Sequence, residues 1–527
     1  MSVIAGLVCG WLPLHAADYT WGAPAGGDWN NAANWNPNSG FPDGPDDTAH
    51  FVPTFAETTT VYFTENLNIG TLTMATGQDG RFRFLPSAES PITVAVAGHF
   101  VAYQTEFTTT NNAVPFHFSA NTLQALTFDA NTAGGLFLEN LSDGTFTIHT
   151  STDIGNSAQV RVGPGVTNPV SLGAVTTKNS LGENGKTIID VAWNTSNNNT
   201  VVVESLRDYG TVTESGSSTG SVLRINGNQS FAVTFDGYIT ESLSVQKQGS
   251  GTQVLGGFGT NTYTGPTTIS GGVLEAGKNA AFGTGRVTVE AGATARIAFG
   301  ATLGNAVTID GGTLDVRGTL ATGSERLQFS ENGGTLMGNG FVGESPRLNN
   351  TNHILAPGPG AGALTFTESQ GWYSFTYEWD VNNWTGVTPG GAYDQMQVTG
   401  VLDILTDSEA SIILEIGSLS GGNQAGNVAN FSEMDRSWSI LTATNGITGF
   451  DASRFQIDTS GFSSATPALG TWVVSQIGND IVLSYTAVPE PNALVLLGIG
   501  VSTLFIFRRR KKRDSQDPAE ASPRPPL

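Results

Sequence analysis

The 527-residue sequence holds one cysteine, Cys9, within an N-terminal apolar stretch. Disulfides therefore cannot stabilise the body of the chain, and zinc sites built on several cysteines are excluded. Positive charge is also scarce. Lys and Arg number 23 against 45 Asp and Glu, and seven of those 23 lie beyond Phe507. Ahead of Glu490 stand sixteen bases against forty-one acids, so this body repels phosphate backbones and nucleic acid is not an expected partner. His50, His99, His117, His149 and His353 are scattered, with no HExxH or comparable metal-ligand spacing. No G-x-S-x-G elbow or P-loop occurs. Long runs of Ala, Glu, Lys and Leu, which helices favour, are missing as well.

What is abundant suits strands and turns. Gly reaches 67, and Thr, Asn, Ser and Val fill much of the rest. β-branched residues fit a pleated surface, while Gly and Asn fit positive-φ turns. The chain is expected to be all-β.

Both ends read as addresses. Val3 to Leu14 is an apolar run, and His15-Ala16-Ala17 before Asp18 suits signal-peptidase cleavage, giving an expected signal peptide over 1–17. The basic n-region of such peptides is missing, since no Lys or Arg precedes Arg81. At the other end Val488-Pro489-Glu490-Pro491 precedes fifteen apolar residues, 493–507, and then Arg508, Arg509, Arg510, Lys511, Lys512 and Arg513. A helix over 493–507 would span roughly 22 Å, short of a hydrocarbon core of about 30 Å. Ala487-Val488 and snorkelling arginines could supply part of the difference. The basic cluster is expected to stop transfer and stay cytoplasmic, leaving 18–488 outside the inner membrane. The remaining 514–527 reads as a disordered tail.

This order of Pro-Glu-Pro, short apolar helix and Arg-rich end over 488–513 resembles the PEP-CTERM sorting signal. The resemblance implies recognition of Val488, Pro489, Glu490 and Pro491 by a membrane-embedded sorting protease, an exosortase, followed by release to the cell surface.

The body repeats. Thr268-Ile269-Ser270-Gly271-Gly272 recurs as Thr288-Val289-Glu290-Ala291-Gly292 and as Thr308-Ile309-Asp310-Gly311-Gly312, at an offset of 20 residues, and Gly334 follows Gly312 by 22. Leu274, Leu314 and Leu336 take equivalent places in this alignment, with Thr294 as the polar exception. Such a period describes coils that cannot bury their inward side chains alone and must stack about 4.8 Å apart. Ser270, Glu290 and Asp310 then form a ladder, read as a solvated turn rather than an acid pair or metal site.

The stretch from Gly249 to Leu274, with Asn261-Thr262-Tyr263-Thr264-Gly265 at its centre, resembles the autotransporter-associated β-strand repeat. Pro266 departs from the family's usual second glycine. The resemblance implies a right-handed parallel β-helix, and it carries no catalytic residues. A true autotransporter would end in a transmembrane barrel, whereas this sequence ends in one apolar segment and a basic tail.

The expected organisation is an N-terminal cap with degenerate coils over 18–242, the repeat solenoid over 243–366 and a C-terminal β region over 367–487. That last region reads either as an antiparallel capping sandwich or as further coils. Trp21, Trp29 and Trp35, interleaved with Asn, are candidate glycan contacts, but a cap that closes the first coil is preferred. A calcium site at Asp43, Asp46 and Asp47 is the weaker alternative there. No catalytic residue, cofactor or metal ligand is assigned. The forty-one acids pair by chance in many ways, and no motif selects a glycosidase pair. A structural or adhesive surface protein is therefore favoured over a glycan-binding module, and both over a polysaccharide lyase or hydrolase.

Overall fold

The computed structural model describes residues 16–488, apart from 53–57, 75–81, 87–91, 103–104, 108–115, 121–125, 129–134, 139–144, 149–150, 155–158, 165, 179–187, 194, 322–326 and 406–410. The signal-peptide segment through residue 15, the apolar segment 493–507 and the basic cluster 508–513 lie outside the described residues. Among the described residues no helix is long and apolar enough to cross a membrane.

Nearly every pairing between strands is parallel, and each coil contributes one strand to each of up to three faces. A representative coil runs through Thr200–Val203, Ser205–Tyr209 and Thr211–Thr213, and the next through Val222–Ile225, Ala232–Phe235 and Tyr238–Ile239. Corresponding strands pair in register, as in Val201↔Leu223 and Val212↔Ile239. Alternation does the rest: in Thr200–Val203 the second and fourth residues are buried while the others face outward. A strand with one apolar face thus meets two neighbours presenting the same face, and the inward residues form ladders through the molecule.

One such ladder runs Val203, Ile225, Lys247, Ile269, Val289, Ile309, Phe329. The offset of 20 residues holds on this face from Thr267 through Val287 and Val307 to Leu327. On the adjoining face it does not. Leu274 pairs with Ala295, then with Leu314 and Leu336. The equivalent of Leu274 is therefore Ala295 and not Thr294, so the ladder stays apolar from Leu274 to Leu336, while the preceding coil sets the buried Gln253 opposite Leu274. Two residues separate Ile269 from the strand at Gly272, but three separate Val289 from the strand at Ala293. The longer turn displaces the next strand by one position, which turns Thr294 outward and Ala295 into the core.

The turns are tight enough to require glycine. A Cβ on Gly338, at φ +124°, would lie 2.0 Å from the Val316 carbonyl oxygen of the coil below.

The ladders continue without interruption across 242/243 and 366/367. Beyond Pro357 the chain makes further parallel coils: Phe375–Val381 of strand Gln370–Val381 pairs with Ile412–Ser420, which pairs with Phe455–Asp458. The stack is then closed by an antiparallel group in which Asp480–Thr486 lies between Arg436–Ala443 and Thr471–Ile477. The region is thus further parallel coils, ended by three antiparallel strands that extend one of the coil sheets.

At the opposite end, Asp18–Trp21 pairs antiparallel with Trp35–Asn36 and parallel with Thr48–Phe51. Trp21, Trp29 and Trp35 are buried against Phe51 and Phe63, which pack in turn on Phe82 and Phe84, covering the open end of the first coils.

Candidate functional site

The last strand, Asp480–Thr486, delivers the chain to Val488, the final described residue. Its neighbours hold it there. Tyr485 opposes Arg436 on one side and Trp472 on the other, with its ring buried among Trp384, Trp472 and Phe431. Its hydroxyl reaches out of this aromatic box and donates to both oxygens of Glu433 at 2.8 and 2.7 Å. The same hydroxyl accepts the Gly470 N–H at 2.7 Å.

Glu433 gathers more than the tyrosine. Its carboxylate accepts the N–H of Leu469 at 3.2 Å and of Val488 at 3.1 Å, and Asp435 accepts the N–H of Ala487 at 2.8 Å. Two carboxylates two residues apart thus bind the two residues that follow the last strand. Burial acts to raise the pKa of Glu433, but the Tyr485 bond and the N–H groups of Val488, Leu469 and Gly470 outweigh it. The group is held below its ordinary 4.5. The Tyr485 hydroxyl is pushed up to about 12, by burial first and by the adjoining Glu433 second.

A sorting signal begins at this same point. The profile of the PEP-CTERM protein-sorting motif matches residues 487–511. The chain carries a PEP-CTERM signal. A second profile, that of the passenger-associated-transport-repeat, matches residues 245–276, two successive coils of the solenoid. No curated protein matches the chain.

Of the motif residues named from sequence, Val488 is described and is 46% exposed; Pro489, Glu490, Pro491 and the cluster Arg508 to Arg513 lie outside the described residues. The PEP-CTERM match therefore starts at Ala487, one residue after the folded strand ends. Sequence reading missed Glu433 and Asp435 altogether. They stand more than fifty residues upstream of their partners, and no local pattern connects them.

The remaining candidates divide clearly. Trp21, Trp29 and Trp35 are only 3%, 1% and 2% exposed, so none presents a ring face on which a sugar could stack. Their indole N–H groups bond to the carbonyls of Ala23, Pro42 and Trp29. Asp47 spends its carboxylate on the backbone N–H groups of Ala17, Asp43 and Gly44, which leaves it engaged as a turn-former. Asp310 accepts from Ser330 and Asn332 of the next coil, and those bonds hold its pKa below the ordinary value. Among the described residues no group of three or more His, Cys, Asp or Glu side chains is placed so that it could hold a metal ion.

An acidic groove near the C-terminal closure, about 280 Å³, is lined by Glu378, Asp380, Glu415 and Asp458. Glu378, Glu415 and Asp458 sit side by side in register on three adjacent strands. Burial, then repulsion from Glu415 and Asp380, raises the pKa of Glu378, and burial raises that of Asp380. Lys247 occupies an aliphatic ladder position, with its ammonium donating to the carbonyls of Gln248, Gly249 and Gly271. Burial lowers its pKa to about 8.

Proposed function

We propose that this chain is an exported surface scaffold whose β-solenoid is delivered through its PEP-CTERM signal to an exosortase-type sorting system. The observation that carries this reading is the junction: the sorting motif starts at Ala487, directly after the strand that closes the solenoid. A folded, elongated, acidic body joined to a sorting signal without an intervening domain suits a protein displayed as a structural element. In this reading the apolar segment 493–507 and the basic cluster Arg508 to Arg513 hold the precursor in the inner membrane. Processing near Val488–Pro491 then releases 18–488 to the surface. The passenger-type repeat supports an extracellular scaffold, and the function is structural or adhesive rather than catalytic. No cofactor is assigned, and a polysaccharide matrix is the partner class for an adhesive role.

Mass spectrometry of the mature C-terminus from fractionated native cells tests this. A chain ending near Val488–Pro491, found outside the inner membrane, is the expected result. An intact Arg508–Arg513 tail retained in the inner membrane overturns the processing step.

A further inference from the structure

We propose that Glu433 and Asp435 form a latch that controls access of the sorting protease to the signal, a proposal that rests on the PEP-CTERM reading above. A protease binds its substrate as an extended segment on both sides of the bond it cuts, so residues bonded to a folded body must be freed first. Here the first two residues of the matched motif are not free. The Ala487 N–H is held by Asp435 at 2.8 Å and the Val488 N–H by Glu433 at 3.1 Å. The following residue is Pro489, which has no N–H. The latch therefore takes both of the amide donors that the chain offers between the last strand and the Pro-Glu-Pro segment.

Its geometry is more than a chance surface contact. Glu433 is anchored from beneath by the buried Tyr485, whose hydroxyl bridges it to Gly470, and from the side by the Leu469 N–H. Tyr485 itself belongs to the strand that leads to the motif, so the strand and its exit are tied to one carboxylate. Each charge-assisted bond is stronger than a neutral one. Opening the latch frees Ala487 and Val488, which extends the reach of the exiting chain by about 7 Å at roughly 3.5 Å per residue. A membrane-embedded protease working beside a bulky solenoid gains that clearance only when the latch is open.

The test compares the full-length chain with Asp435→Ala and with Glu433→Ala/Asp435→Ala. Asp435 is exposed, so its variant guards against loss of folding in the double variant, and circular dichroism checks both. Deuterium uptake is read by mass spectrometry on a peptic fragment containing Ala487 and Val488. In the producing cells, pulse–chase labelling reads the rate at which the C-terminal segment is removed. In the double variant the two amides exchange at least about tenfold faster, and removal of the segment accelerates several-fold. The single variant shows the smaller effect, confined to Ala487. Unchanged exchange at both amides overturns the latch. Faster exchange with an unaltered removal rate overturns its control of access while leaving the sorting reading intact. No removal in any of the three chains overturns the sorting reading itself, and the gate with it.

Discussion

Trp29→Ala separates a structural cap from a sugar platform. Trp29 is 1% exposed and its ring centroid lies 4.8 Å from that of Trp35, 5.2 Å from Phe63 and 5.8 Å from Phe51. Its indole N–H donates to the Pro42 carbonyl at 2.8 Å. Truncating a buried aromatic residue costs about 3–5 kcal/mol in lost burial and residual cavity. The abandoned Pro42 carbonyl places this site toward the upper part of that range. At about 4 kcal/mol the open population of the cap rises roughly a thousandfold. Because a solenoid is stabilised coil by coil, the loss should be local before it is global. Hydrogen exchange and limited proteolysis should therefore show the strands Asp18–Trp21 and Thr48–Phe51 losing protection while Thr267–Ile269 and Val287–Glu290 keep theirs. Full retention of cap protection in Trp29→Ala, combined with loss of binding to a polysaccharide, would refute this account and return the ring to a binding role.

Phe299→Ala provides the contrasting case: the side chain is 93% exposed, and its removal should change stability by no more than about 0.5 kcal/mol in urea unfolding. Gly338→Ala should destabilise by about 3 kcal/mol, because the new Cβ would sit 2.0 Å from the Val316 carbonyl at a positive φ; wild-type stability in thermal melting would contradict the close coil contact. Lys247→Met should stabilise the protein at neutral pH. The lowered pKa of about 8 means the folded state binds fewer protons than the unfolded state, so the wild-type penalty fades as pH rises from about 8 to 10.5. The advantage of the variant in denaturant titrations should shrink over that window. Asp380→Asn should remove a pH dependence of the opposite sign from the C-terminal coils. A raised carboxylate pKa contributes stability below the ordinary 3.8 that is lost as pH rises through the folded value, and the variant should flatten that decline. An unchanged pH profile would remove Asp380 from the set of groups responsible.

The parallel stack was legible wherever three conditions coincided: β-branched residues on alternate positions, a glycine at the corner and a constant spacing. Thr267–Ile269, Val287–Glu290 and Val307–Asp310 meet all three, and their register follows the repeat directly. The same reasoning placed Thr294 opposite Leu274, because sequence alignment tracks chain length while pairing tracks the turn that intervenes. One additional turn residue before Ala293 was enough to reverse which side chains point inward.

Composition and spacing alone determined that the body would be all-β, without disulfides, built from stacked coils and joined to a Pro-Glu-Pro segment, apolar run and basic cluster. These properties depend on residue type and on neighbours within about twenty positions. The tertiary structure decided which aromatic faces would be buried and which carboxylates would meet. It put Trp21, Trp29 and Trp35 inside a cap and set Glu378, Glu415 and Asp458 on adjoining strands. It also brought Glu433 and Asp435 across more than fifty residues to the exit of the last strand. The physical reason is that a coil's outward side chains are free of the core pattern that a sequence displays. Their partners are chosen by turn lengths and by the closure of the stack, and those exist only once the chain has wound up.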